Sequence, residues 1–138
     1  MTKIALITGA SRGIGAATAK VLAQQGYDIC VNYKSNAKAA DQLIAEITTI
    51  GIRAIAVQAD ISQEADVERL FNTLDQQLGP ITALVNNAGI LRPQSRVEDL
   101  TAERINQLLT TNVTGYFLCC REAIKRMSTK HGGQGGSI

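Results

Sequence analysis

The segment that most constrains this 138-residue chain is residues 8–15, Thr-Gly-Ala-Ser-Arg-Gly-Ile-Gly, which follow the apolar run Ile4–Ile7 and open a helical pattern. Glycine at position 9 permits a tight turn with backbone angles that other residues avoid. Glycines at positions 13 and 15 leave no side chain between the backbone and a ligand. The N-terminus of the helix then offers free N–H groups and partial positive charge to an anion. The segment therefore predicts a turn that binds the pyrophosphate of a dinucleotide.

Four short apolar runs alternate with helical patterns along the chain. The runs are Ile4–Ile7, Ile29–Val31, Ala54–Val57 and Ala83–Val85. Continuous apolar runs are typical of strands buried on both faces of a parallel sheet, and strand–helix alternation implies right-handed crossovers. We therefore predict an α/β fold with a Rossmann-type, doubly wound parallel sheet. Residues 1–138 would form the N-terminal part of a single dinucleotide-binding domain, with about four βα units and the start of a fifth strand.

Apolar spacing assigns a buried face to each of the first three helices. The predicted faces are Ile14, Thr18, Val21 and Leu22 in the first helix, Ala40, Leu43, Ile44 and Ile47 in the second, and Val67, Leu70, Phe71, Leu74 and Leu78 in the third. Side chains that accept hydrogen bonds from the first helical turn are predicted to cap three of the helices. Ser35 or Asn36 would cap the second helix, Ser62 the third and Thr101 the fourth.

The last third of the chain combines a long helical pattern with glycines. Residues 101–130 predict one bent helix or two abutting helices, because Gly115 and the β-branched residues around Asn112 lower helix propensity. The glycine-rich residues 132–136 follow a helix, so we interpret them as a flexible helix-to-strand loop rather than a second phosphate site. Ala83–Val85 is expected to present an unprotected strand edge, which favours instability or association.

Composition narrows the class of protein. Hydrophobic residues make up 45% of the chain and charged residues 19%, which is typical of a globular protein. The net charge of +2 without a polybasic run argues against nucleic-acid binding. Cys30, Cys119 and Cys120 have no metal-binding spacing and are predicted to be buried, reduced thiols. No apolar stretch approaches the roughly 20 residues of a membrane span, and Ile4–Ile7 is too short for a signal peptide, so the predicted location is the cytoplasm.

Three motifs together resemble those of the short-chain dehydrogenase/reductase family. The glycine turn has the spacing Gly-x-x-x-Gly-x-Gly, residues 86–89 read Asn-Asn-Ala-Gly directly after the fourth strand, and residues 112–115 match an Asn-x-x-Gly segment. The resemblance covers residues 3–138 and is strongest to bacterial 3-oxoacyl-carrier-protein reductases and glucose 1-dehydrogenases. It implies hydride transfer between a nicotinamide coenzyme and a small carbonyl compound or secondary alcohol. It also implies a homo-oligomer, a dimer or tetramer, that packs through the long helix.

The resemblance implies coenzyme contacts at positions that match the family pattern. In the glycine turn, the pyrophosphate and adenosine ribose would be contacted by Gly9, Ser11, Arg12, Gly13, Ile14 and Gly15. After the third strand, Asp60 would accept a hydrogen bond from the adenine amino group, with Ile61 beside it; the alternative for Asp60 is a purely structural turn residue.

The resemblance also implies roles for the residues of the two asparagine motifs. Asn87, Ala88 and Gly89 would run beside the coenzyme ribose, whereas Asn86 is expected to be a structural amide that bonds neighbouring strands. Asn112 matches the asparagine of the family's catalytic set, which holds a helix bulge open and anchors a water of the proton relay. Its alternative is a satisfied amide in the helix interior.

The end of the second strand indicates which coenzyme is preferred. Enzymes that prefer NAD place an acidic residue about 20 positions past the glycines, where it bonds the ribose 2′-hydroxyl. Here the matching stretch contains no acid and offers Tyr33, Lys34 and Ser35, while Arg12 lies within the glycine turn. Two cations and a hydroxyl suit a 2′-phosphate, because charge-assisted hydrogen bonds to phosphate are strong. We therefore predict NADP(H), with NAD(H) as the alternative coenzyme and a solvated side chain as the alternative for Lys34.

The family's catalytic serine, tyrosine and lysine have no counterpart in the printed sequence. The tyrosine and lysine form a Tyr-x-x-x-Lys pair, but Tyr27, Tyr33 and Tyr116 are followed four positions later by valine, alanine and cysteine. We therefore predict that the 138-residue polypeptide is inactive as a reductase. The alternative function is a non-catalytic nucleotide-binding or assembly module. A flavodoxin-like mononucleotide-binding protein is disfavoured by the Asn-Asn-Ala-Gly motif.

Overall fold

The computed structural model describes residues 2–138 and contains one parallel sheet. Its strands are β1 (Lys3–Ile7), β2 (Tyr27–Tyr33), β3 (Ala54–Gln58) and β4 (Ala83–Val85), in the order β3-β2-β1-β4. Strand β1 therefore lies between β2 and β4, and its last residue pairs with Val31 on one side and Val85 on the other. The four predicted strands and the parallel, Rossmann-type sheet are confirmed.

Helices cover both faces of the sheet. Helices α1 (Gly13–Gln24) and α2 (Ala37–Thr48) pack on one face, while α3 (Glu64–Gln77) and α5 (Gly115–Met127) pack on the other. Helix α4 (Ala102–Leu109) continues through a π-helical turn (Thr110–Thr114) into α5, and short 3₁₀ segments lie at Val97–Asp99 and Thr129–His131. The apolar strands are thus buried between two layers of helices, as their composition predicts.

The predicted buried face of α1 is wrong for Ile14 and Val21, whereas Leu22 is partly buried against the core. Ile14 is 81% exposed and Val21 is 51% exposed, and the buried residues of the helix are Gly15, Ala19 and Ala23. Small residues on the contact side let the helix axis lie close to β1 and β2, so Ile14 and Val21 point away from the sheet. The faces predicted for α2 and α3 are confirmed, apart from Ile44, which is only partly buried.

Two of the three cap predictions are confirmed. The side chain of Asn36 accepts a 3.1 Å hydrogen bond from the Ala39 amide at the start of α2, and Thr101 does the same for Arg104 at the start of α4. The prediction for Ser62 is wrong, because α3 begins one residue later and the Ser62 hydroxyl donates to Asp60 instead.

The outer edge of β4 and the glycine-rich segment are linked. Ser137 pairs with β4 through hydrogen bonds to the Leu84 amide (2.9 Å) and the Thr82 carbonyl (3.0 Å), so the edge is partly covered rather than unprotected. The amides of residues 133 and 135 donate to carbonyl oxygens at the end of α5, which makes this an ordered connection rather than a flexible loop. The amide of Gly132 also donates to a carbonyl oxygen, that of Thr129, so the chain itself occupies three of the five amides in residues 132–136.

An ionic cluster joins α5 to α3. Glu122 is 6% exposed and its carboxylate contacts Arg121, Lys125 and Arg126, while Arg126 also pairs with Asp75 at 2.8 Å. Burial alone would raise the pKa of Glu122, but the hydrogen bonds from its three cationic neighbours outweigh burial and lower the pKa.

All three cysteines are free thiols, and Cys30 and Cys119 are buried as predicted, whereas Cys120 is only partly buried. Burial raises the pKa of Cys119 to about 12 and raises that of Cys30 further, so both stay protonated. Within residues 2–138, no helix is both long and apolar enough to cross a membrane.

Candidate functional site

A cleft of about 540 Å³ lies at the carboxyl ends of β1, β2 and β4. Strands β2 and β4 lie on opposite sides of β1, so the connections that leave β1 and β4 diverge at this edge of the sheet. Such a switch point is where open α/β sheets bind ligands. The cleft is walled by the glycine turn, by the loops after β2 and β3, and by residues 87–90 after β4.

The glycine turn after β1 is fixed on one side by Asn32. The side-chain oxygen of Asn32 accepts a 3.1 Å hydrogen bond from the Gly9 amide, and its backbone carbonyl accepts a 2.8 Å bond from Ala10. Its side-chain nitrogen donates to the carbonyl oxygens of Val57 and Ala59. This buried amide therefore joins the ends of β1, β2 and β3.

On the other side, Thr8 and Asn87 join β1 to β4. The Thr8 hydroxyl lies 3.0 Å from the amides of Asn87 and Ala88, and the Asn87 side chain donates to the carbonyls of Thr8 (2.9 Å) and Gly9 (3.0 Å). The strand-bridging amide is thus Asn87, and the expectation that Asn86 plays this part is wrong. Asn86 donates to the sulfur of Cys120 on α5 at 3.2 Å.

Two glycines of the turn are required by close packing. Gly9 has a φ of +59°, and a β-carbon there would lie 2.8 Å from the α-carbon of Ala88. At Gly15 a β-carbon would overlap the Asn87 side-chain nitrogen and lie 2.8 Å from the α-carbon of Ala10. Gly15 therefore leaves room for the amide that fixes the turn. The Gly13 α-carbon instead faces open space, since a β-carbon there meets nothing within 4 Å.

The start of α1 lacks a protein cap. Arg12 occupies the N-cap position without a side-chain hydrogen bond, and the first turn contains no acidic residue. Within residues 2–138, the amides of Gly13, Ile14 and Gly15 have no acceptor, whereas the starts of α2 and α4 are capped by Asn36 and Thr101. Free amides, the helix dipole and an open approach at Gly13 fit a phosphate group of a bound nucleotide.

The far wall of the cleft carries charged side chains. Asp60 Oδ1 accepts hydrogen bonds from the amide (3.0 Å) and hydroxyl (2.7 Å) of Ser62, and Asp60 Oδ2 lies 3.4 Å from Lys34 Nζ. Partial burial tends to raise the pKa of Asp60, but the bonds from Ser62 and the charge of Lys34 more than offset it, so the pKa is lowered. Arg12 forms no ion pair within residues 2–138.

Asn112 lies inside the π-helical turn between α4 and α5. Its Oδ1 accepts a 2.8 Å hydrogen bond from the Ile90 amide and its Nδ2 donates a 2.9 Å bond to the Ile90 carbonyl. The asparagine therefore fixes the loop that leaves β4. Gly115 allows this helix to lie against the β3–α3 loop, because a β-carbon there would come within 3.0 Å of the Ile61 carbonyl.

The structure brings together all but two of the predicted coenzyme contacts. Those that line the cleft are Gly9, Ser11, Arg12, Gly13, Tyr33, Lys34, Ser35, Asp60, Ile61, Asn87, Ala88 and Gly89. Ile14 is outside the cleft wall and exposed, and Gly15 lies beneath it against Asn87. Sequence reasoning missed Thr8 and Asn32, which hold the turn. A polar residue at the end of an otherwise apolar strand is the signal that could have found both.

The comparison with known proteins agrees with this geometry. The family model for short chain dehydrogenases matches residues 3–138. The chain belongs to the short-chain dehydrogenase family. It is 60% identical over 135 residues to the uncharacterized oxidoreductase YgfF of Escherichia coli, covering 98% of this chain and 55% of that protein. It is 41% identical over 136 residues to a 3-oxoacyl-[acyl-carrier-protein] reductase of Synechocystis, covering 96% of this chain and 53% of that protein.

Solved structures of short-chain dehydrogenases share the fold. One from Burkholderia cenocepacia, in complex with NADP, aligns with a TM-score of 0.86 and 40% identity over 90% of this chain and 50% of that one. A short-chain dehydrogenase/reductase mutant from Serratia marcescens aligns with a TM-score of 0.87 and 33% identity. The alignment covers 91% of this chain and 51% of that one. The chain spans about half the length of the relatives it matches.

Proposed function

We propose that residues 1–138 are the N-terminal, coenzyme-binding part of a single domain in an NADP(H)-dependent oxidoreductase. The whole protein would transfer a hydride between the nicotinamide and a small carbonyl compound or secondary alcohol. Membership of the short-chain dehydrogenase family supports the reaction class. The coenzyme, when bound, supplies or accepts the hydride; the residues described here bind and orient it.

The uncapped start of α1 is the observation that carries the proposal. The side chains that fix the glycine turn are those of Thr8, Asn32 and Asn87, and none of their hydrogen bonds uses the amides of Gly13 to Gly15. Those amides are therefore left for an anion at the mouth of the cleft. A pyrophosphate there would be neutralised by the helix dipole and by the free guanidinium of Arg12.

The charges on the cleft wall favour the phosphorylated coenzyme. Arg12 and Lys34 both line the cleft, Ser35 follows Lys34, and β2 ends in Tyr33 rather than in an acid. An acidic residue at this position would select a free 2′-hydroxyl. The NADP complex of the Burkholderia cenocepacia relative, which is 40% identical, supports the same preference.

Asn112 would act as a positioning residue. Its two hydrogen bonds to Ile90 keep the loop after β4 open beside the cleft, and Ile90 and Thr111 both line that wall. The π-helical turn also breaks the regular pattern of helix hydrogen bonds at this point, as such turns often do near functional sites. We infer that Asn112, at this turn, anchors a water of the proton relay.

The exposed apolar side of α4 and α5 supports a homo-oligomer. Phe117 is 73% exposed, and the half-exposed side chains at the same spacing along the two helices are Ile105, Leu109, Val113 and Ile124. A continuous apolar stripe of this kind is typical of a protein interface. A cytoplasmic location stays a prediction from the sequence.

Calorimetric titration with NADP⁺ and NAD⁺ tests the proposal. We expect tighter binding of NADP⁺, and a loss of about tenfold or more in its affinity in Arg12→Met, with a smaller loss for NAD⁺. Lys20→Met is the matched control, because it also removes one positive charge, but Lys20 pairs with Glu46 away from the cleft. Equal or tighter binding of NAD⁺ by the unmodified chain would contradict the preference.

A further inference from the structure

The carboxylate of Asp60 divides its two oxygens between different neighbours. Oδ1 already accepts two hydrogen bonds from Ser62, at 3.0 and 2.7 Å. Oδ2 faces Lys34 Nζ at 3.4 Å and is the oxygen left for any ligand in the cleft. The cation proposed to bind a 2′-phosphate and the acceptor proposed to bind the adenine amino group are therefore paired with each other.

A ring of polar contacts holds this pair in place. The Gln58 side chain donates a 2.9 Å hydrogen bond to the Lys34 carbonyl, and Arg69 joins Gln58 (3.4 Å) to Asp66 (3.7 Å). Asp66 in turn accepts a 2.8 Å bond from the Asp60 amide. The backbones of Lys34 and Asp60 are thus fixed, while the Lys34 side chain, 66% exposed, is free to change partner.

The Lys34–Asp60 contact is weak enough to be exchanged. An ion pair at 3.4 Å whose lysine is largely exposed contributes little, because water reaches the ammonium group and holding a lysine side chain costs entropy. A phosphate group presents more negative charge and more acceptor oxygens than the single Oδ2. A 2′-phosphate within reach of Lys34 therefore wins the competition, whereas a 2′-hydroxyl does not.

Resting on the proposed function, we infer that the Lys34–Asp60 pair is an exchange device that discriminates between the two coenzymes. With the phosphorylated coenzyme, Lys34 leaves Asp60 for the 2′-phosphate, and the released Oδ2 accepts the adenine amino group. With the unphosphorylated coenzyme, Lys34 stays on Asp60 and competes with the adenine amino group for Oδ2. Lys34 thus favours one coenzyme and disfavours the other.

A double-mutant cycle with Lys34→Met and Asp60→Asn tests the exchange. Dissociation constants for NADP⁺ and NAD⁺ are measured calorimetrically on the 138-residue chain and its three variants, with circular dichroism to check folding. Lys34→Met should weaken NADP⁺ binding by about tenfold and tighten NAD⁺ binding. Asp60→Asn should raise the preference for NADP⁺ several-fold when Lys34 is present and leave it unchanged in the Lys34→Met background.

Each outcome decides the inference. If Asp60→Asn raises the preference for NADP⁺ equally with Lys34 and with Lys34→Met, the effect comes only from the negative charge removed near the phosphate. That result overturns the exchange. Unchanged or weaker NAD⁺ binding in Lys34→Met overturns it as well, and this single variant suffices if Asp60→Asn fails to fold. Failure of the unmodified chain to bind either coenzyme refutes the proposed function instead, which keeps the two results distinct.

Discussion

The side-chain nitrogen of Asn87 lies 3.0 Å from the carbonyl oxygen of Gly9 and donates a hydrogen bond to it. This bond connects the loop after β4 to the turn after β1, across the switch point of the sheet. Because the same nitrogen also donates to Thr8, one side chain sets the shape of the turn. The free amides at the start of α1 depend on that shape, so we expect the motif after β4 to act on coenzyme binding through the glycine turn.

Replacing Asn87 should therefore damage both stability and binding. Asn87→Ala leaves two carbonyl oxygens without their donor and should lower the free energy of unfolding by about 1–3 kcal/mol. Asn87→Asp should lower it more, because a carboxylate would face those same oxygens. Urea unfolding and NADP⁺ titration measure the two effects. Unchanged coenzyme affinity in a folded Asn87→Ala variant would show that the turn does not need this amide.

The turn at Gly9 should tolerate no side chain. In Gly9→Ala the positive φ and the 2.8 Å approach to Ala88 both oppose folding of the turn, so coenzyme binding should be lost. Gly26→Ala is the control: its φ of +84° imposes similar backbone strain, of about 1 kcal/mol, but a β-carbon there meets nothing within 4 Å. The control should be less stable yet bind NADP⁺ normally. Equal binding by both variants would refute the close-packing argument.

Much of the fold could be predicted from local patterns. Each of the four strands contains an apolar run because the sheet is covered on both faces, and α3 shows its buried face through large side chains at helical spacing. The same reasoning fails for helix α1, because this helix packs through Gly15, Ala19 and Ala23. Hydrophobic periodicity measures where large side chains lie, and it cannot detect a contact built from small ones.

The site was predictable in its position but not in its internal bonding. The motifs located the cleft, because glycines and a strand-to-helix turn are local features. Asn86 and Asn87 have different roles because they meet different acceptors. Asn87 donates to two carbonyl oxygens across the sheet, whereas Asn86 donates to the sulfur of Cys120. The pairing of Lys34 with Asp60 likewise joins loops 26 positions apart, and nothing local in the sequence encodes it.

The ionic cluster around Glu122 predicts a loss of stability in acid. Its pKa in the folded protein lies below the ordinary value of 4.5, so its stabilising effect is complete above that pH and is lost as the pH falls through the lowered pKa. Glu122→Gln should reduce the free energy of unfolding near neutral pH and flatten this decline. Urea unfolding between about pH 6 and pH 3 measures it. A parallel decline in both proteins would assign the acid sensitivity to other groups.

The 138-residue polypeptide should bind coenzyme without turning it over. The family's catalytic serine and Tyr-x-x-x-Lys pair have no counterpart in its sequence, so we expect it to lack the group that donates the proton during hydride transfer. Loss of NADPH absorbance in the presence of a panel of ketones and aldehydes measures turnover. Steady NADPH oxidation by the pure polypeptide would contradict this prediction; binding without oxidation agrees with it.

The most direct test of the central claim follows the backbone amides at the start of α1 by NMR while NADP⁺ is added. The account predicts large, saturable shifts for the amides of Gly13, Ile14 and Gly15, and little change for the Arg104 amide, which Thr101 already caps. Saturable NADP⁺ binding that leaves the three α1 amides unshifted, or no binding at all, would contradict it.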